Sequence, residues 1–141
     1  MAELDRRLWD RDILPAPQIR WLLTRLVHTN VVIALAAVGV ATTSSGILGV
    51  SPPLLPLLFL FLATFVSYTL NKIWDRSEDA TNLPGRASFV LAHDRRLRAL
   101  AGAAAVGGIV MLYSWRPWLA PVGLLPPMAA WLFSSGAFKQ L

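Results

Sequence analysis

From Leu26 to Asn71 the chain runs for 46 residues without a Lys, Arg, Asp or Glu. A soluble domain of this size cannot enclose that much uncharged chain in its core. A membrane helix needs about 20 apolar residues, so the run holds two spans and a turn. Two further uncharged runs, 99–115 and 117–138, hold one span each. The sequence therefore predicts an all-α fold, an integral membrane helical bundle with about four transmembrane helices. Composition points the same way. Of 141 residues, 55% are hydrophobic and 15% charged, and the mean hydropathy is +0.54. Soluble domains carry about 25% charged residues. An ordinary cytosolic domain and a disordered chain are both excluded.

The charged minority sets the topology. Residues 1–28 hold five Lys or Arg, residues 72–98 hold six, and Lys139 follows near the end. The turn at 51–53 holds none and the turn after Trp115 holds Arg116. With four spans, twelve basic residues fall on one side and one on the other. The positive-inside rule then places both termini and the 72–98 loop in the cytoplasm, with the chain in the cell membrane. The net charge of +5 is explained by this anchoring, so nucleic acid is not expected as a partner. Nine charges among the first 25 residues argue against a signal peptide. The absence of cysteine removes disulfides, thiolate metal sites and a Cys nucleophile.

Along the chain, residues 1–28 form a cytoplasmic and interfacial segment and residues 29–141 the bundle. Pro15 and Pro17 break any helix before an amphipathic stretch at 17–28. Span one is expected at 30–50, span two from Leu54 past Asn71, span three at 99–115 and span four at 118–136. Ser51, Pro52 and Pro53 form the first turn, and Arg116–Pro117 the last. Pro121, Pro126 and Pro127 make span four kinked or re-entrant. Gly102, Gly107 and Gly108 are expected to let span three pack closely.

One face of span two is polar. Thr64, Ser67, Tyr68, Asn71, Asp75 and Asp79 recur at spacings of three and four. On an unbroken helix, Asn71, Asp75 and Asp79 fall within roughly 80° of one another, with Glu78 on the same side. Clustered carboxylates need a counter-charge. Mg²⁺ prefers oxygen ligands and takes one or two carboxylates together with substrate phosphates. Lys72, Arg76 and Arg86 are placed to hold remaining phosphate oxygens. The residues thus predict a Mg²⁺–diphosphate site at the cytoplasmic mouth of a membrane cavity, for a substrate with a diphosphate head and an apolar tail. The competing reading is a solvated loop with compensating charges. The intramembrane stripe above it favours the site.

Residues 68–86, YTLNKIWDRSEDATNLPGR, resemble the first aspartate-rich motif of the UbiA prenyltransferase superfamily, N-D-x-x-D-x-x-x-D followed by N-x-P-x-R-P. Asn71, Asp75 and Asp79 match the motif, and Asn82, Pro84 and Arg86 match its tail. Residues 133–141 loosely resemble the family's Y-S-x-x-x-K-R segment, with Phe133 or Ser134 in place of Tyr and Lys139 as the basic residue. The resemblance implies transfer of a prenyl group from a polyprenyl diphosphate to an acceptor, with Mg²⁺ as cofactor. It implies that Asn71, Asp75 and Asp79 hold Mg²⁺, that Asp75 and Asp79 are catalytic, and that Arg86 and Lys139 support the phosphates. Tyr68, on the same stripe, contacts substrate or packs between helices.

The chain departs from the family at Lys72, where an Asp is usual, and at Ala87, where the second Pro is usual. Family members have about nine spans and a second aspartate-rich motif. No Asp or Glu follows Asp94 here, so the resemblance covers the N-terminal half of the UbiA fold. Three readings follow. The chain is a truncated half, inactive alone and missing its C-terminal half. Or it is a half-length protein that completes its site as a homo-oligomer. Or it is a non-enzymatic anchor or assembly subunit. A generic small transporter ranks below these, since the charges lie at the mouth. Elsewhere, Arg95, Arg96 and Arg98 read as anchoring charges. Trp115, Trp118 and Trp131 read as membrane-interface residues, or else as lining of a prenyl cavity. His28 and His93 have no metal-ligand spacing.

Overall fold

The computed structural model describes residues 17–134. Six α-helices and one 3-10 segment account for nearly all of them, and no strand occurs among the described residues. The helices are α1 (Pro17–His28), α2 (Val31–Ile47), α3 (Leu54–Trp74), α4 (Arg76–Asn82), α5 (Pro84–Trp115) and α6 (Leu125–Ser134), with the 3-10 segment at Pro117–Leu124.

Two helices, α3 and α5, are long and apolar enough to cross a membrane. Only 17% of the apolar window of α3 and 22% of that of α5 is buried within the molecule. The apolar faces are therefore turned outward, as Leu54, Leu58, Leu100, Val106 and Val110 illustrate. A water-soluble core helix would have the opposite distribution. The first uncharged run gives a 17-residue apolar helix, α2. The last gives the eight-residue 3-10 segment followed by the ten-residue α6. Pro126 and Pro127 sit in the first turn of α6, where no intrahelical N–H is needed. Pro121 lies inside the 3-10 segment.

Proline and charge fix several boundaries where the sequence placed them: α1 starts at Pro17, α3 at Leu54, and α5 ends at Trp115. Residues 72–98, read above as a loop, are helical instead. Residues through Trp74 finish α3, α4 follows, and α5 begins with Pro84 in its first turn. The helix pauses at Asp75 (φ −84°, ψ 10°) and at Leu83 (φ −138°, ψ 66°). The charged residues between are compatible with helix, so polarity there marks solvent contact and not irregular backbone.

The central element is α3, which packs on α2, α5 and α6. Ile73, Val90 and Leu97 form a buried apolar cluster with Phe89 against it, joining the C-terminal part of α3 to the N-terminal half of α5. Of the three glycines expected to give close packing, only Gly108 has a neighbour there, the Phe59 ring 3.6 Å from where a Cβ would stand. Gly102 and Gly107 face open space. The tightest approach is at Gly123, where a Cβ would lie 2.6 Å from Ile109 Cγ1 and 3.3 Å from its Cα.

Candidate functional site

The polar stripe of α3 is divided by the structure. Ser67, Tyr68, Asn71 and Asp75 line one wall of a cavity of about 520 Å³, and Ala129 and Ala130 of α6 line another. Ser67 Oγ donates to the main-chain oxygen of Pro126 at 3.2 Å. That bond ties α3 to the start of α6 beside the cavity. Tyr68 is 48% exposed, so its ring is presented at the cavity wall and not packed between helices. Trp115, Trp118 and Trp131 are all exposed and none lines this cavity. All three face outward from the helices.

Asp79 takes another direction. The backbone keeps the i to i+4 pattern across the pause: Asp75 N–H donates to Asn71 O at 2.8 Å, and Asp79 N–H to Asp75 O at 3.0 Å. After Asp75, however, the Asp79 side chain turns to α5. Its Oδ2 lies 2.8 Å from Arg86 Nε, with the two side chains 12% and 28% exposed. The two atoms are close, but the N–H is not aimed at the oxygen, and neither finds another hydrogen bond. Asp79 and Arg86 thus neutralise each other instead of joining Asn71 and Asp75 on the cavity wall.

Lys72 is not among the residues that line the cavity. It is buried, and its Nζ donates to His28 O at 3.0 Å and Val27 O at 3.4 Å. These carbonyls close α1, where Val27 O otherwise accepts only the long bond from Asn30 N–H at 3.4 Å. The residue after Asn71 points about 100° away from it, which carries Lys72 off the stripe. Beside it, Asn30 Nδ2 donates to Thr69 Oγ1 at 3.3 Å, both residues being fully buried. Asn30 holds a left-handed backbone (φ 64°), a conformation that Asn tolerates better than most residues. This second polar face of α3 carries no charge except Lys72, and no residue pattern marks the Asn30–Thr69 pair.

His28 and His93 each stack on the Phe89 ring. The His28–Phe89 centroids are 5.0 Å apart and the Phe89–His93 centroids 4.4 Å. Burial, together with the positive charges of Lys72 and Arg86, holds the His28 imidazole below its usual value. Arg98 pairs with Asp94 at 2.8 Å, while Arg95 and Arg96 are exposed.

No group of three or more His, Cys, Asp or Glu side chains able to share a metal occurs among the described residues. The side chains of Arg76 and Glu78, and Lys139 as a whole, lie outside the described residues. No family model, curated protein or solved structure matches the chain.

Proposed function

We propose that this chain carries a Mg²⁺–diphosphate site of the UbiA prenyltransferase type, set at the cytoplasmic end of a four-span membrane bundle whose termini face the cytoplasm. The observation that supports this reading is the cavity between α3 and α6. Its lining joins the polar residues Ser67, Tyr68, Asn71 and Asp75 to the apolar Ala129 and Ala130. A diphosphate head suits the polar residues and a prenyl tail the apolar ones.

The donor set fits Mg²⁺. Asn71 and Asp75 offer an amide and a carboxylate oxygen, and such an ion is completed by substrate phosphates and water. When bound, Mg²⁺ would stabilise charge on the departing diphosphate as a Lewis acid. The chain's own part is to orient the head through Asn71 and Asp75, to present the Tyr68 hydroxyl beside it, and to keep the apolar tail against α6. Asp79 and Arg86 would act next to this wall. In the four-span reading, α2, α3, α5 and the combined 117–134 segment each cross the bilayer. One carboxylate wall does not clamp a diphosphate from both sides, so transfer to an acceptor calls for a facing wall from a further segment or a second copy.

The test is calorimetric titration of the purified chain in detergent with geranyl diphosphate, with and without Mg²⁺. Binding is expected to require Mg²⁺ and to be lost in Asp75→Asn and weakened in Asn71→Ala. Equal binding by wild type and Asp75→Asn would refute the site. A non-enzymatic anchor or assembly subunit predicts no Mg²⁺-dependent binding in any of these proteins.

A further inference from the structure

The ion pair between Asp79 and Arg86 joins two residues that the motif assigns to one ligand. Their 2.8 Å contact lacks a directed hydrogen bond, and both contacting atoms are shut off from solvent. An arginine–carboxylate pair draws much of its strength from aligned N–H···O bonds. The Nε–Oδ2 contact lacks that alignment, and these two atoms are poorly compensated for the water they have lost. Each partner therefore stands to gain from a ligand that offers better geometry.

The helix that carries Asp79 is short and set off at both ends. Seven residues long, α4 is flanked by two residues off helical geometry, Asp75 and Leu83. Asp75 belongs to the cavity wall, so rotation about it changes where Asp79 points relative to that wall.

We propose that the Asp79–Arg86 ion pair is a resting latch on the diphosphate site, opened by partner exchange: the cation of a Mg²⁺–diphosphate head takes Asp79 while the phosphate oxygens take Arg86. This inference rests on the diphosphate reading above. The exchange leaves neither charge uncompensated, since the ligand brings a cation for the carboxylate and an anion for the guanidinium. No covalent bond changes.

The experiment uses the full chain in detergent, titrated with MgCl₂ alone and with MgCl₂ plus inorganic diphosphate, alongside amide hydrogen exchange of α4. Arg86→Gln releases Asp79, so Mg²⁺ alone is expected to bind about fivefold or more tightly. Mg²⁺-dependent diphosphate binding weakens in the same variant. In wild type, Mg²⁺–diphosphate is expected to alter α4 exchange. The double exchange Asp79→Arg with Arg86→Asp keeps the ligand-free exchange pattern and loses the response. If Arg86→Gln weakens Mg²⁺ and diphosphate alike and unfolds α4, the pair is structural and the latch is overturned. Wild-type binding with unchanged α4 exchange overturns the latch and leaves the site standing. Wild type that binds no diphosphate with Mg²⁺ overturns both.

Discussion

Lys72 Nζ lies 3.0 Å from the main-chain oxygen of His28, 44 residues away in sequence. A lysine beside an aspartate-rich motif is thereby used to close a helix, with Val27 O as its second acceptor. The contact fixes the end of α1 against the last turns of α3, next to the candidate site.

Lys72→Met keeps the length of the side chain and removes the donor. At this half-buried helix end His28 O then loses its donor and Val27 O keeps only Asn30 N–H at 3.4 Å, at a cost of about 1–3 kcal/mol. The thermal midpoint in detergent is expected to fall, and proteolysis to reach α1 sooner. An unchanged midpoint would show that the contact does not hold α1 in place.

Acid should loosen the same junction. His28 is held below the ordinary imidazole value of 6.5, first by burial and then by Lys72 and Arg86. Above that value His28 is neutral folded or unfolded, and its contribution to stability is fully present. Below it, the unfolded chain binds a proton that the folded chain resists, so stability declines as pH falls through the folded value. Melting curves between about pH 7.5 and pH 5 should show this decline, and His28→Gln should flatten part of it. Identical slopes in the two proteins would count against the assignment.

Glycine substitutions should separate by position. A Cβ at Gly123 would meet Ile109 at 2.6 Å and the backbone behind it at 3.3 Å, so Gly123→Ala should cost about 1–3 kcal/mol. Gly102 has open space and lies inside α5. Gly102→Ala should be neutral or stabilising by up to about 1 kcal/mol. Side-by-side unfolding of the two variants checks the order.

Thr69→Val tests the buried polar pair. It preserves shape and strands the Asn30 amide, whose Oδ1 is already buried without a partner. A loss of about 1–3 kcal/mol is expected. Asn30→Ala combined with Thr69→Val should cost less than the sum of the two single changes.

Much of the architecture was legible because uncharged runs and prolines are local signals. They located α1, α2, α3 and the end of α5. The helicity of 72–98 is not legible, because charge reports contact with water and says little about helicity. The site was half legible. Ser67, Tyr68, Asn71 and Asp75 share a wall because the helix is regular up to Asp75. Asp79 leaves it because the i+8 spacing assumed an unbroken helix, and ψ at Asp75 is 10°. The destination of Lys72 depends on where α1 ends in space, and Asn30–Thr69 joins two uncharged residues 39 apart. Neither leaves a pattern in the sequence.

The buried cluster of Ile73, Val90 and Leu97 lies at the same end of the molecule as Lys72, Asp79 and Arg86, while the middle stretches of α3 and α5 remain largely uncovered. The charged end is thus assembled by expulsion of water and should yield to urea. Under the proposed membrane reading the uncovered midsection is left to acyl chains and should yield to short-chain detergent. The motif residues would then stand between the two media, so each agent should disturb them from its own side.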